Sequence, residues 1–163
     1  MGAGVLPVAF HKGTMYFLFS RESLHRADRD KGKWSDFGGS KEKDETPFET
    51  AIREGSEESA GLLGSPAAVG KLIKQYGLGR IAIKHYTTYL VSVQYDKALP
   101  SYFSKEHEYV WKTQPDLIRK HNGLYEKDRL AWVPLKSLKN FSKKRMRRWY
   151  RPLVDKIIAK YGK

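Results

Sequence analysis

Apolar residues alternate with turn formers at the start of the chain. In residues 4–10 (GVLPVAF) and 15–23 (MYFLFSRES), valine, phenylalanine and tyrosine favour extended backbone, and the intervening HKGT supplies a turn at Gly13, so a β-hairpin is expected. Residues 25–33 mix charge with glycine and read as an exposed loop. Residues 33–39, KWSDFGG, form a short aromatic segment closed by paired glycines. The period then changes. Thr46 can accept from a free amide, Pro47 suits the first helical position and Glu49 can complete a capping box, so a helix begins here. Phe48, Ala51, Ile52, Gly55 and Ser59 share one side of it and are expected to face the core, with Gly61 and Gly64 placed to end it. Residues 71–79 (KLIKQYGLG) and 80–95 (RIAIKHYTTYLVSVQY) read as two further strands, and 129–135 (RLAWVPL) as another. The polar stretch 96–127 is too long for a simple turn and is expected to hold a short helix or part of a site. From Ser142 to about residue 161, Met146, Tyr150, Leu153, Val154, Ile157, Ile158 and Tyr161 recur at helical spacing, with Pro152 kinking this helix or starting its second half.

A length of 163 residues suits a single domain, and no internal repeat or linker is visible. No apolar run approaches the roughly 18 residues of a membrane span, no basic leader opens the chain, and Leu6 stands where a myristoylation motif wants Ser or Thr. Cysteine is absent, which excludes disulfides and thiolate metal sites. An intracellular, cytoplasmic protein without membrane partners is therefore expected.

Charge sharpens the picture. The net charge is +13, yet residues 136–163 hold eleven lysines and arginines against one acid, Asp155, and so carry ten of the thirteen. A basic tail on a nearly balanced body is the electrostatic footprint of a polyanion partner, nucleic acid first among them, with a solvated lysine-rich helix face as the plainer reading.

The acids are concentrated too: residues 39–61 hold seven of the 18. On the helix that starts at Pro47, Glu54, Glu57 and Glu58 stand at i, i+3 and i+4, so they converge away from the apolar stripe. Each like-charge pair costs about 0.2–0.5 kcal/mol, and anions in a last turn oppose the helix dipole by about 0.3–1 kcal/mol more. Arg53 is too little to neutralise three carboxylates. Hard oxygen ligands on a rigid helix are what Mg2+ or Mn2+ requires, and such ions bridge carboxylates to phosphates; a solvated acidic helix end is the alternative.

The run GGSKEKDETPFETAIREGSEESAG resembles the Nudix box, G-x(5)-E-x(7)-R-E-U-x-E-E-x-G-U, with U a bulky aliphatic residue. Gly39, Glu45, Arg53, Glu54, Glu57 and Glu58 fall in register, while Gly55, Ala60 and Gly61 depart from the pattern at positions that govern packing rather than carboxylate chemistry. The resemblance implies an α/β/α sandwich around a mixed β-sheet, and Mg2+- or Mn2+-dependent hydrolysis of a nucleoside diphosphate linked to another group. Carried over, Glu54, Glu57 and Glu58 hold metal, Arg53 orients the glutamates, and Gly39 permits a sharp loop and offers its carbonyl. A further ligand or base outside the box is usual in the family. Glu126, six residues before Trp132, occupies a similar position and is the first choice, with Glu106 and Glu108 as rivals and an ordinary exposed glutamate as the plain reading of each. Arg21 resembles a phosphate-contacting arginine of some members, and Trp34 and Phe37 stand where a base could stack, although aromatics beside a glycine turn more often belong to the core.

The basic tail separates the substrates. A long phosphate backbone needs Lys and Arg contacts that a small nucleotide does not, and Tyr102, Phe103, Tyr109, Trp111, Trp149 and Tyr150 offer stacking surfaces. Lys143, Lys144, Arg145, Arg147, Arg148 and Arg151 are thus the expected RNA contacts. The WSDFGG approach to the box and the basic C-terminal helix look like viral and eukaryotic Nudix enzymes of the mRNA-decapping and diphosphoinositol-phosphate groups. Three readings follow: cap cleavage releasing methylated GDP, hydrolysis of a small polyanion (a diphosphoinositol polyphosphate, dinucleoside polyphosphate or nucleoside triphosphate), or a non-catalytic RNA-binding domain.

Overall fold

The computed structural model describes residues 1–27, 29–120 and 123–163. Asp28, within the 25–33 loop, and His121 and Asn122, within the 96–127 stretch, lie outside the described residues. The expected hairpin forms from β1 (Gly2–His11) and β2 (Thr14–Glu22), paired from Val8↔Phe17 to His11↔Thr14. Lys12 and Gly13 both take positive φ, 48° and 76°, the twist a two-residue hairpin turn requires. Two short strands follow, β3 (Trp34–Ser35) and β4 (Phe37–Ser40), and then α1 (Pro47–Glu58). The α1 cap is as its sequence dictates: Thr46 accepts from the Glu49 amide, and the Glu49 carboxylate accepts from the Thr46 amide at 2.7 Å.

Beyond α1 the order differs from expectation. Residues 71–76 are not a strand but the second half of α2 (Pro66–Tyr76), which is started by Ser65 accepting from the Ala68 amide and by Pro66 in the first turn. Extended backbone begins only at β5 (Gly77–Ile83), and the long strand expected over 80–95 is split by a turn at Lys84–His85 into β5 and β6 (Tyr86–Ser92). The 96–127 stretch carries a helix of 15 residues, α3 (Leu99–Thr113), and a short α4 (Pro115–Arg119) before β7 (Lys127–Pro134). The C-terminal helix is interrupted. After α5 (Leu138–Arg145), Met146 is extended and buried, pairs with Trp34 across an isolated bridge, and a 3-10 turn leads into α6 (Arg151–Tyr161) with Pro152 in its first turn.

The sheet runs β3-β2-β1-β6-β5, with β4 also paired to β1 and β7 to β2. β1 and β6 are parallel and the other pairs antiparallel, which makes the sheet mixed. Alternate strand residues serve opposite faces. Leu6, Val8, Phe17 and Phe19 pack under α5 and α6 with Leu138, Tyr150, Leu153 and Ile157; Ala3, Val5 and Val91 meet Ala51 and Val69 of α1 and α2; Leu18 and Leu130 meet Phe103 of α3. The result is an α/β/α sandwich. Among the described residues no helix is long and apolar enough to cross a membrane.

Candidate active site

Helix α1 packs against β1 and β4, and its last two turns set the carboxylates. Arg53 is the hub: its Nε donates to Glu45 Oε1 at 2.7 Å, Nη1 to Glu54 Oε1 at 2.8 Å and Glu57 Oε2 at 3.4 Å, and Nη2 to the Ser40 carbonyl at 3.0 Å. The guanidinium hydrogen bonds hold the Glu45 carboxyl down to about 2. Glu54 sits directly beneath Gly39, where an added Cβ would stand 2.6 Å from Glu54 Oε1, so the glycine lets this carboxylate lie against the backbone and a side chain there would displace it. Gly123, at φ 81°, covers Glu57 in the same way, its hypothetical Cβ falling 2.5 Å from Glu57 Oε2. Glu57 is the most exposed of the three, with 38% of its side chain open to solvent.

Glu58 turns inward. Only 3% exposed, it accepts from the Gly38 amide at 2.8 Å and lies 3.4 Å from Lys127 Nζ. Lys127 is fully buried and also donates to Glu22, which a second cation, Arg147, reaches at 3.2 Å. Burial alone would strip the Lys127 proton, but Glu22 and Glu58 reverse this and hold its pKa above the usual lysine value. Burial likewise opposes the Glu22 charge, yet Lys127 and Arg147 outweigh it and keep that carboxyl below its usual range. For Glu58 burial wins, aided by Glu22, Glu54 and Glu126, and lifts its pKa well above the carboxylate range despite Lys127. Burial lifts Glu54 and Glu57 too, against the pull of Arg53.

Glu126 closes the ring. It accepts from the Gly123 amide at 3.1 Å, pairs with Arg26 at 2.7 Å, and lines one cavity of about 410 Å3 with Glu22, Glu54, Glu57 and Glu58. Glu106 and Glu108 are exposed on α3 and do not line it. Beneath the glycine pair, the buried Asp36 accepts from Tyr86 Oη at 2.7 Å and Thr88 Oγ1 at 2.6 Å, and burial raises its pKa to about 6 against those bonds.

Four expectations need correction. Arg21 is engaged by Asp128 through Nε and Nη2 at 2.8 and 3.0 Å, and is not turned to the cavity. Trp34 and Phe37 are buried in two hydrophobic clusters, and neither lines the carboxylate cavity. Of the aromatics proposed for stacking, Phe103 and Tyr150 are likewise core, whereas Tyr102, Tyr109 and Trp149 are exposed. Arg147 leaves the basic stripe altogether and lines the cavity, while Lys143, Lys144 and Arg145 stay exposed in the last turn of α5. Glu22, Lys127 and Arg26 carry no local sequence signal: Glu22 and Lys127 meet through the β2–β7 pairing, and Arg26 reaches the site through its ion pair with Glu126.

The donor set is hard oxygen throughout. Among the described residues no three acidic or histidine side chains converge closely enough to define a metal centre, because Arg53 stands between Glu54 and Glu57 while Glu58 is drawn onto Gly38 and Lys127. The residues nonetheless fit a divalent cation: six carboxylates line the cavity against Arg53 and Arg147, and Glu54 and Glu57, raised first by burial, are raised further by neighbouring acids, Glu126 among them.

No protein-family model matches the chain. Solved structures similar to it include an Ap4A hydrolase of C. elegans (TM-score 0.57, 15% identity, covering 99% of this chain and 98% of that one). A Nudix hydrolase of M. smegmatis, RenU, gives 0.55 at 15% identity over 99% of this chain and 85% of that one. A MutT protein of Methanosarcina mazei gives 0.54 at 17%, over 99% and 94%. The fold is therefore that of the Nudix hydrolases. Over 61 residues the chain is also 43% identical to an uncharacterised protein of Acanthamoeba polyphaga mimivirus; the segment is 37% of this chain, which thus spans about a fifth (20%) of that viral protein.

Proposed function

We propose that the chain is a Nudix pyrophosphohydrolase that uses Mg2+ or Mn2+ to cut a nucleoside diphosphate from a second group, and that the substrate is a capped RNA, cleaved to release methylated GDP. The observation that carries the reading is the meeting of Glu54, Glu57, Glu58 and Glu126 around one cavity, with Gly39 and Gly123 cut away to admit the carboxylates. Glu54, Glu57 and Glu58 would hold the ion, together with the Gly39 carbonyl. Arg53 keeps the carboxylates aligned through its bonds to Glu45 and Glu54. Glu126, itself fixed by Arg26 and the Gly123 amide, is the base that takes a proton from the attacking water or completes the ligand set. Arg147 meets the substrate phosphates from the far wall. The divalent ion supplies charge neutralisation at the pyrophosphate and a water of lowered pKa.

The ten-charge surplus of residues 136–163 favours RNA over a free nucleotide. The C. elegans relative in fold, an Ap4A hydrolase, makes a dinucleoside polyphosphate the second reading. A product assay on cap-labelled RNA, beside dinucleoside polyphosphates and inositol pyrophosphates, decides between them. Glu57→Gln removes a ligand charge and almost no volume from a part-exposed position, so it is expected to keep its native melting curve while losing turnover by at least about 100-fold. Undiminished, metal-dependent turnover in that variant would place the chemistry elsewhere, and a wild-type protein inert on the whole panel would leave a non-catalytic RNA-binding domain.

A further inference from the structure

Beside the carboxylate cavity lies a second, of about 520 Å3, and the two share Gly39, Ser40 and Arg147 as a common wall. Its other side is the β5–β6 turn and Trp149, and its surface is mainly apolar. Trp149 is 39% exposed; its indole rests on Tyr86 at 4.8 Å between ring centroids, and the Arg147 guanidinium lies 5.6 Å from it. Beyond Trp149 and Arg147 opens a third cavity of about 470 Å3, lined by Arg29 and Lys33 of the β2–β3 loop and by Arg148 and Arg151. The Arg151 Nε there is buried without a hydrogen-bond partner. The acid of this cavity, Asp30, pairs with Arg147 at 3.2 Å.

We propose that the three cavities form one track that takes, in order, a pyrophosphate, a nucleoside and that nucleoside's 3′-phosphate, so the bound group is the 5′ end of a polynucleotide and not a lone nucleotide. The inference rests on the pyrophosphohydrolase reading for the occupant of the first cavity. The order of chemistry along the shared walls carries the rest. Carboxylates suit a cation-bridged pyrophosphate, an exposed indole in an apolar pocket suits the face of a base, and four cations suit the next backbone phosphate. An inositol pyrophosphate has no aromatic face for the middle cavity. A dinucleoside polyphosphate has no phosphate beyond its nucleoside for the third. Trp149 is then the stacking platform, and Arg29 and Lys33 join Arg148 and Arg151 as phosphate contacts from a different part of the chain.

Two probes that carry no pyrophosphate, guanosine 5′-monophosphate and guanosine 3′,5′-bisphosphate, test the track by calorimetry on the whole protein without divalent ions. Neither probe is turned over, so the outcome is independent of the hydrolase assay. The bisphosphate is expected to bind at least about tenfold tighter, the low end of what a charge-assisted contact commands. Arg29→Ala/Lys33→Ala is expected to bring bisphosphate binding down to the level of the monophosphate. Trp149→Ala is expected to weaken both probes by roughly 5- to 150-fold, the range of base stacking on an aromatic, while Trp149→Phe keeps most of the binding. Equal affinity of the two probes for the wild type would overturn the third cavity's assignment. Full binding by a Trp149→Ala protein with a native melting curve would overturn the second.

Discussion

Lys127 shows what one residue does when it is buried among acids. It faces Glu22 and Glu58, both nearly inaccessible, and is the cation nearest to either. Lys127→Met keeps most of the volume and removes the charge, so two carboxylates are left to the Gly38 amide and Arg147. Breaking a buried pair from one side costs about 3–5 kcal/mol, and urea unfolding of the variant is expected to show a loss in that range; a loss below about 1 kcal/mol would mean that Arg147 alone satisfies the Glu22 charge. Asp36 makes the opposite kind of statement. Its pKa rises from 3.8 to about 6 on folding, so between those values the folded protein holds a proton that the unfolded chain has released. Stability from this group therefore falls as pH rises, by about 3 kcal/mol in total, and levels off above about pH 6. Asp36→Asn does not titrate, and the wild-type advantage over it is expected to shrink between pH 4 and 7 in paired unfolding curves; parallel curves would contradict the assignment. Neither residue was legible in the chain. Glu54, Glu57 and Glu58 were, because helical spacing alone brings them together, whereas Glu22 and Lys127 meet only through strand register 105 positions apart.

At the scale of elements, legibility followed local chemistry. The N-terminus of α1 was visible because Thr46, Pro47 and Glu49 act within four residues, and the structure forms that capping box. Thr46→Ala is expected to lower stability by about 1 kcal/mol, with Thr46→Ser near wild type, as read by thermal melting. The turn at Lys84–His85 was not visible, since it contains neither glycine nor proline and the alternation of β5 runs on into β6. Helix α2 escapes the pattern because Leu72 and Ile73 suit a strand as well as a helix, and the Ser65–Pro66 start that decides between them lies upstream. Helix α3 buries only Phe103, His107 and Val110, a thin stripe in a polar stretch, and so left little hydrophobic pattern to find. The break between α5 and α6 is a tertiary effect: Met146 has helical spacing with its neighbours, but the Trp34 strand captures it, and the Arg147 amide bonds the Trp34 carbonyl at 3.1 Å.

That break reorganises the charge of the whole molecule. A continuous helix over 142–161 would have kept Lys143 to Arg151 on one element; instead Arg147 is folded against Glu22 and Asp30, Arg148 and Arg151 line the cavity past Trp149, and Lys143, Lys144 and Arg145 stay together on the end of α5. The three groups should then answer differently to salt. Contacts to a single-stranded backbone release counterions, each adding about 0.7 to the slope of log affinity against log salt. Replacing Lys143, Lys144 and Arg145 by alanine touches exposed side chains outside the carboxylate cavity, so the variant is expected to fold and to bind capped RNA with a slope shallower by about 2. Arg147→Ala removes one phosphate contact and also the cation beside Glu22, so it is expected to lower turnover at every salt concentration while making the slope shallower by no more than about 0.7. Fluorescence anisotropy with labelled capped RNA between about 50 and 200 mM salt measures the first quantity, and the cap-release assay the second. An unchanged slope in the triple variant would remove the end of α5 from the RNA path and leave the cavity beyond Trp149 as the place where the chain's positive charge meets its substrate.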